Sequence, residues 1–150
     1  MLLPRNVLRM ADVVDHRVLR LEGALIRSRS RIRETEQAIQ GICHQRDTMM
    51  QLIRTSAISG IVARSEIAEY RRRQAGLRRR LAAVTLSLKT QEEALATAKT
   101  QEAQLVTERH QFLRKREKLQ FCLKRLRMQQ NQQEERAAEN EMEDLVWLKK

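Results

Sequence analysis

A heptad repeat runs through the first third of this 150-residue chain, stops once, and restarts in a different frame. One row reads Ala11, Val18, Leu25, Ile32, Ile39, Arg46, Ile53, and a second reads Val14, Leu21, Ser28, Thr35, Ile42, Met49. The pattern fails over 55–60, Thr-Ser-Ala-Ile-Ser-Gly. It resumes as Ile67, Gln74, Leu81, Leu88, Leu95 beside Tyr70, Leu77, Val84, Gln91, Ala98, Leu105, Phe112, Leu119, Leu126. Sustained spacing of about 3.5 residues demands long helices with a partner along one seam. A single break lets the chain fold back and supply that partner itself. The expected fold is all-α: two long helices in an antiparallel coiled-coil hairpin, with the turn near residues 56–64. Such a hairpin has almost no interior in which to enclose a substrate.

Local signals place the ends. Pro4 suits a first-turn position, where its missing N–H costs nothing. Helix one is expected over about 5–55. Gly60 fits the left-handed stop of a helix, and a turn displaced towards Gly76 is the alternative. Ser65 is expected to cap helix two, with Glu66 and Glu69 near its positive end. Helix two then runs to about 135 as part of a single domain, 1–150, with the acidic tail frayed. At ~1.5 Å per residue a helix of about 50 residues reaches ~75 Å. A turn centred near 60 sets residue 5 opposite residue 115. Residues beyond about 118 then overhang, leaving Leu119, Leu123 and Leu126 as an exposed stripe for a partner, or for a bent-back segment or second copy. The terminal Leu145-Val146-Trp147-Leu148 is a candidate docking motif or simply a last helical turn.

Composition narrows the function. Charged residues are 33% and aromatics 3% of the chain, a balance that suits long helices and not a thick core. No apolar run is long enough to span a membrane, and the first residues lack the features of a secretory signal, so the cytosol is expected. Cys43 and Cys122 lie too far apart in a hairpin to bridge and read as reduced thiols. The net charge of +11 calls for an acidic partner, nucleic acid or an anionic membrane face. Arg71, Arg72, Arg73, Arg78, Arg79 and Arg80 cluster after the break. A second cluster holds Arg109, Arg114, Lys115, Arg116, Lys118, Lys124, Arg125 and Arg127. The segment Glu134–Asp144 is acidic, at net −5.

No catalytic constellation is present. His16, His44 and His110 are scattered along helices without a nucleophile or carboxylate at consistent spacing, and no phosphate loop, HExxH or GxSxG occurs. An enzyme, a cofactor and a metal site are therefore not expected. Nucleic-acid binding is the alternative suggested by the arginine runs, but these lie inside the heptads and aromatics for base stacking are nearly absent. A structural dimer of straight helices is another alternative. Polar residues in the heptad rows, among them Ser28, Thr35, Arg46, Gln74, Gln91, Glu102 and Arg109, weaken the seam while fixing its register, or give a compliant pair of helices.

The stretch after the break is the specific part. It reads Arg64-Ser65-Glu66-Ile67-Ala68-Glu69-Tyr70-Arg71-Arg72-Arg73-Gln74, then Leu77-Arg78-Arg79-Arg80-Leu81. It resembles the hairpin-tip segment of the InvI/YscO type of type III secretion stalk protein, itself distantly similar to flagellar FliJ. Size, basic charge and helical character agree along most of the chain; the motif covers only about 20 residues. The resemblance implies a non-enzymatic stalk linking the hexameric export ATPase to the cytoplasmic ring of the export gate, with secretion chaperones as further partners and no small-molecule substrate. It implies a location in the cytoplasm at the inner-membrane base of the apparatus. The gate-binding tip would include Ile67, Tyr70, Arg73, Gln74 and Arg78, with Tyr70 alternatively closing the hairpin end. The ATPase-binding base would include Arg114, Lys115, Arg116, Lys118, Lys124, Arg125 and Arg127.

Overall fold

The computed structural model describes Arg5–Leu148. Two helices account for it: α1, Arg5–Thr55, and α2, Arg64–Leu148, joined by the loop 56–63. Together they form an antiparallel helical hairpin. Pro4 lies outside the described residues. Every member of both α1 heptad rows is buried or half-buried, and so is every member of the α2 rows except Ile67.

The chain divides into two compact units, Met1–Leu25 with Leu105–Lys150, and Ile26–Gln104. In the first, α1 buries Val14, Val18, Leu21 and Leu25. Val18 is 1% exposed, and full burial of such a side chain is worth roughly 1.5–3 kcal/mol. From α2, Leu105, Phe112, Leu119, Leu123 and Leu126 are half-buried. Ion pairs flank this seam. Arg17 Nη2 lies 2.7 Å from Glu108 Oε1, Arg109 Nη2 3.3 Å from Glu22 Oε1, and Arg116 Nε 3.5 Å from Asp15 Oδ1. Exposed pairs of this kind add little energy each but fix which residues face one another.

In the second unit Ile32, Leu88 and the polar Gln74 are buried. Ion pairs join Arg29 Nε to Glu102 Oε1 at 2.8 Å and Lys99 Nζ to Glu36 Oε1 at 3.0 Å. The polar row residues find local partners. Thr35 Oγ1 donates to the Arg31 carbonyl at 2.8 Å, and Arg46 turns aside to Asp47 at 3.1 Å. This self-satisfaction is what lets hydroxyl and charged groups sit at a thin seam.

Three expectations are corrected. The register is not centred on residue 60. Outward from the Asp15–Arg116 pair, Arg5 comes level with Leu126 rather than residue 115, so the overhang starts later and Leu119, Leu123 and Leu126 belong to the seam. In the other unit, too, Gln74 and not an earlier residue stands against the end of α1, so the first turns of α2 run on past Thr55. The second correction concerns the cap. Arg64 already lies in α2, and Glu66 Oε2 accepts from the Ala63 N–H at 3.1 Å while the Glu66 N–H donates to the Ala63 carbonyl at 3.0 Å. Ala63 is thus the cap position, served by the returning Glu of a capping box, and Ser65 is inside the helix. Third, α2 continues through 135 to Leu148. The acidic segment has no seam, but Glu, Gln and Ala favour helix without one.

Candidate partner-binding surfaces

The tip is assembled from the end of α1, the loop and the start of α2. α1 is tied off locally: the Thr55 hydroxyl donates to the Gln51 carbonyl at 3.0 Å, and the Ser56 N–H to the Leu52 carbonyl at 3.0 Å. Gly60 has φ 104°, a conformation that L side chains rarely adopt. Gln74, 8% exposed, donates through Nε2 to Ser56 Oγ at 2.5 Å and to the Ile53 carbonyl at 3.5 Å. A buried amide needs such partners, and here they anchor the loop to α2.

Ser56, Ile58, Val62, Glu66, Glu69, Tyr70 and Arg73 line an open cleft of about 470 Å³ beside this anchor. Its floor is apolar and its rim carries two acids and one base. Arg73 pairs with Glu69 one turn away. Of the expected tip residues, Ile67, Arg73 and Arg78 are exposed, Tyr70 is half-buried against the cleft, and Gln74 is turned inward. The Gln74 amide is engaged by Ser56 and Ile53 at the end of α1. Arg71, Arg72, Arg78, Arg79 and Arg80 are exposed and form no ion pair among the described residues.

The basic group of the other unit is equally accessible. Arg114, Lys115, Lys118, Lys124, Arg125 and Arg127 are exposed, whereas Arg116 is half-buried and engaged with Asp15. Lys115 Nζ and Arg17 Cζ sit 4.9 and 5.6 Å from the centre of the Phe112 ring. The half-buried ring thus holds two cations by its π face. Val13, His16, Arg17, Arg20 and Phe112 line a shallow groove alongside. Cys122 is exposed and Cys43 half-buried, both as free thiols. Trp147 is exposed; the side chains of its apolar neighbours 145, 146 and 148 lie outside the described set. Among the described residues no group of His, Cys, Asp and Glu is placed to hold a metal ion, and no helix is long and apolar enough to cross a membrane.

A protein-family model described as Salmonella surface presentation of antigen gene type M protein matches residues 5–146. The chain belongs to this family. It is a type III secretion component of the InvI/YscO type, as the tip segment 64–81 implied. The match spans nearly both helices, so membership rests on the whole hairpin and not on the tip alone. The family is one of secretion-apparatus structural components and is not a known enzyme family. No curated protein and no solved structure gives a significant match.

Sequence reasoning missed the Gln74–Ser56 anchor, the Glu66 cap and the Phe112 cation pair. Gln74 carried a signal, as a polar residue in an apolar row close to the break. Phe112 carried half a signal: Lys115 follows at i+3 on the same helix, but Arg17 is identifiable only once the register is known.

Proposed function

We propose that this secretion component is a non-enzymatic stalk that couples the hexameric export ATPase to the cytoplasmic ring of the export gate. The observation that carries this reading is the pair of exposed cation clusters, one beside the loop and one on α2 in the unit that holds the start of α1, on a member of a secretion-apparatus family. Arg114, Lys115, Lys118, Lys124, Arg125 and Arg127 engage the ATPase. An acidic pore attracts such a surface at long range, so association is fast and salt-sensitive. Arg116 contributes through its pair with Asp15, which holds that part of α2 against α1. Ile67, Tyr70, Arg73 and Arg78 meet the gate, and Gln74 keeps the loop in place behind them. Secretion chaperones are further partners. The chain acts as one hairpin domain in the cytoplasm, at the inner-membrane base of the apparatus.

The tip assignment is tested with Arg78→Glu/Arg79→Glu. The variant is expected to lose binding to the isolated gate ring while still binding the ATPase. Unchanged gate binding would contradict the assignment.

A further inference from the structure

α2 carries a second row at alternating spacings of 3 and 4, on the face turned away from the seam. Its first part is basic: Arg114, Lys118 and Arg125. Phe121 and Met128 fall in the same row, and they are 69% and 56% exposed. The row continues through Gln132 into an acidic part, Glu135 and Glu139, and ends at Met142, also 69% exposed. All of it lies within one compact unit and all of it is exposed. Leu119, Leu123 and Leu126 serve the seam, so this outer row has separate work to do.

We infer that this row pairs with the same row of a second copy of the chain, antiparallel and about a two-fold axis. The argument is charge order. Read backwards, the row is complementary to itself. Centred between Leu126 and Arg127, the antiparallel arrangement sets Arg114 of one copy against Glu139 of the other and Lys118 against Glu135, twice over. Met128 then packs against the stem of Arg125 at the middle, and Phe121 against Gln132 on either side. A parallel arrangement sets like charge against like throughout, which penalises it. An acidic partner of another kind would satisfy Arg114 and Lys118 but be repelled by Glu135 and Glu139. The row spans roughly 42 Å at ~1.5 Å per residue, four heptads with few apolar members. Its association is therefore weak and readily screened by salt.

One consequence rests on the stalk reading. Arg114, Lys118 and Arg125 are among the cations assigned to the ATPase. Self-pairing covers them, so the free protein withholds its ATPase-binding face until the ATPase displaces the second copy.

Sedimentation velocity of the full chain tests the pairing. Dimer is expected to grow with concentration at low salt and to disappear at high salt. Lys118→Glu places acid against Glu135 at both ends and is expected to weaken the dimer about tenfold. Lys118→Glu with Glu135→Lys restores both pairs with reversed sign and is expected to return the affinity to within about threefold of the parent. Circular dichroism checks that each variant keeps its helix. Three results overturn the inference: a monomer at every concentration, a dimer indifferent to Lys118→Glu, or a double variant no tighter than the single one. A chain that stays monomeric yet binds the export ATPase sinks self-pairing and leaves the stalk reading intact. A dimer that never binds the ATPase, or that gathers nucleic acid instead, does the reverse.

Discussion

The side-chain amide of Gln74 donates a 2.5 Å hydrogen bond to the hydroxyl of Ser56, so the residue directly after the arginine triplet clamps the first residue after α1. The clamp decides where the loop can lie. It also sets the register of the neighbouring seam, because α2 must reach Gln74 before it meets the end of α1.

Removing this amide should loosen the tip more than the hairpin. Gln74→Leu keeps the packing volume but removes the amide's bonds to Ser56 Oγ and the Ile53 carbonyl, at an expected cost of about 1–2 kcal/mol. Hydrogen exchange is expected to quicken over 53–63 and to change little over α2 beyond 90. A double-mutant cycle with Ser56→Ala should return a coupling of about 0.5–1.5 kcal/mol. Zero coupling would mean that the bond contributes nothing.

The seam gives a sharper contrast. Leu21 is buried and Leu19 exposed, two positions apart on the same helix. Leu21→Ala is expected to cost about 2–4 kcal/mol, and Leu19→Ala under about 0.5 kcal/mol. Chemical denaturation of both variants checks the assignment of the α1 face.

Much of that face was legible beforehand. Periodicity placed every residue of both α1 rows on the covered side, and the Ser- and Gly-containing break located the loop. Register was not legible. A heptad identifies which side of a helix is covered but not which residue of the other helix stands opposite, and neither Asp15–Arg116 nor Gln74–Ser56 declares itself by spacing. α2 also runs beyond the expected 135, although the apolar row fades after Met128. Ala137, Ala138 and the surrounding Glu residues sustain a helix without a seam. Of the candidate site, the exposed arginines were readable from charge, while the inward turn of Gln74 depended on the loop path.

Arg109 offers a test of the cost of polarity at the seam. Its Nη2 reaches Glu22, but its Nε is buried with no hydrogen-bond partner among the described residues. A buried unsatisfied donor is expensive, and an apolar side chain at the same place recovers packing. Arg109→Leu is expected to raise stability by about 1 kcal/mol in denaturant unfolding. A loss of similar size would show that the Glu22 pair outweighs the stranded Nε.

The loop has one backbone position that resists substitution. Gly60→Ala meets open space but must hold φ near 104°. The expected penalty is about 1–2 kcal/mol, and it should appear as a lower unfolding midpoint without change in far-ultraviolet helicity. An unchanged midpoint would mean that the loop has another low-energy path.

The most direct test of the coupling role is native mass spectrometry of the chain with its export ATPase at low salt, with hydrolysis rate followed in parallel. The account predicts one copy per hexameric ring and faster hydrolysis, both lost when Arg114, Lys124 and Arg125 are reversed to Glu. No complex at low salt, or a complex and rate indifferent to those reversals, would contradict it.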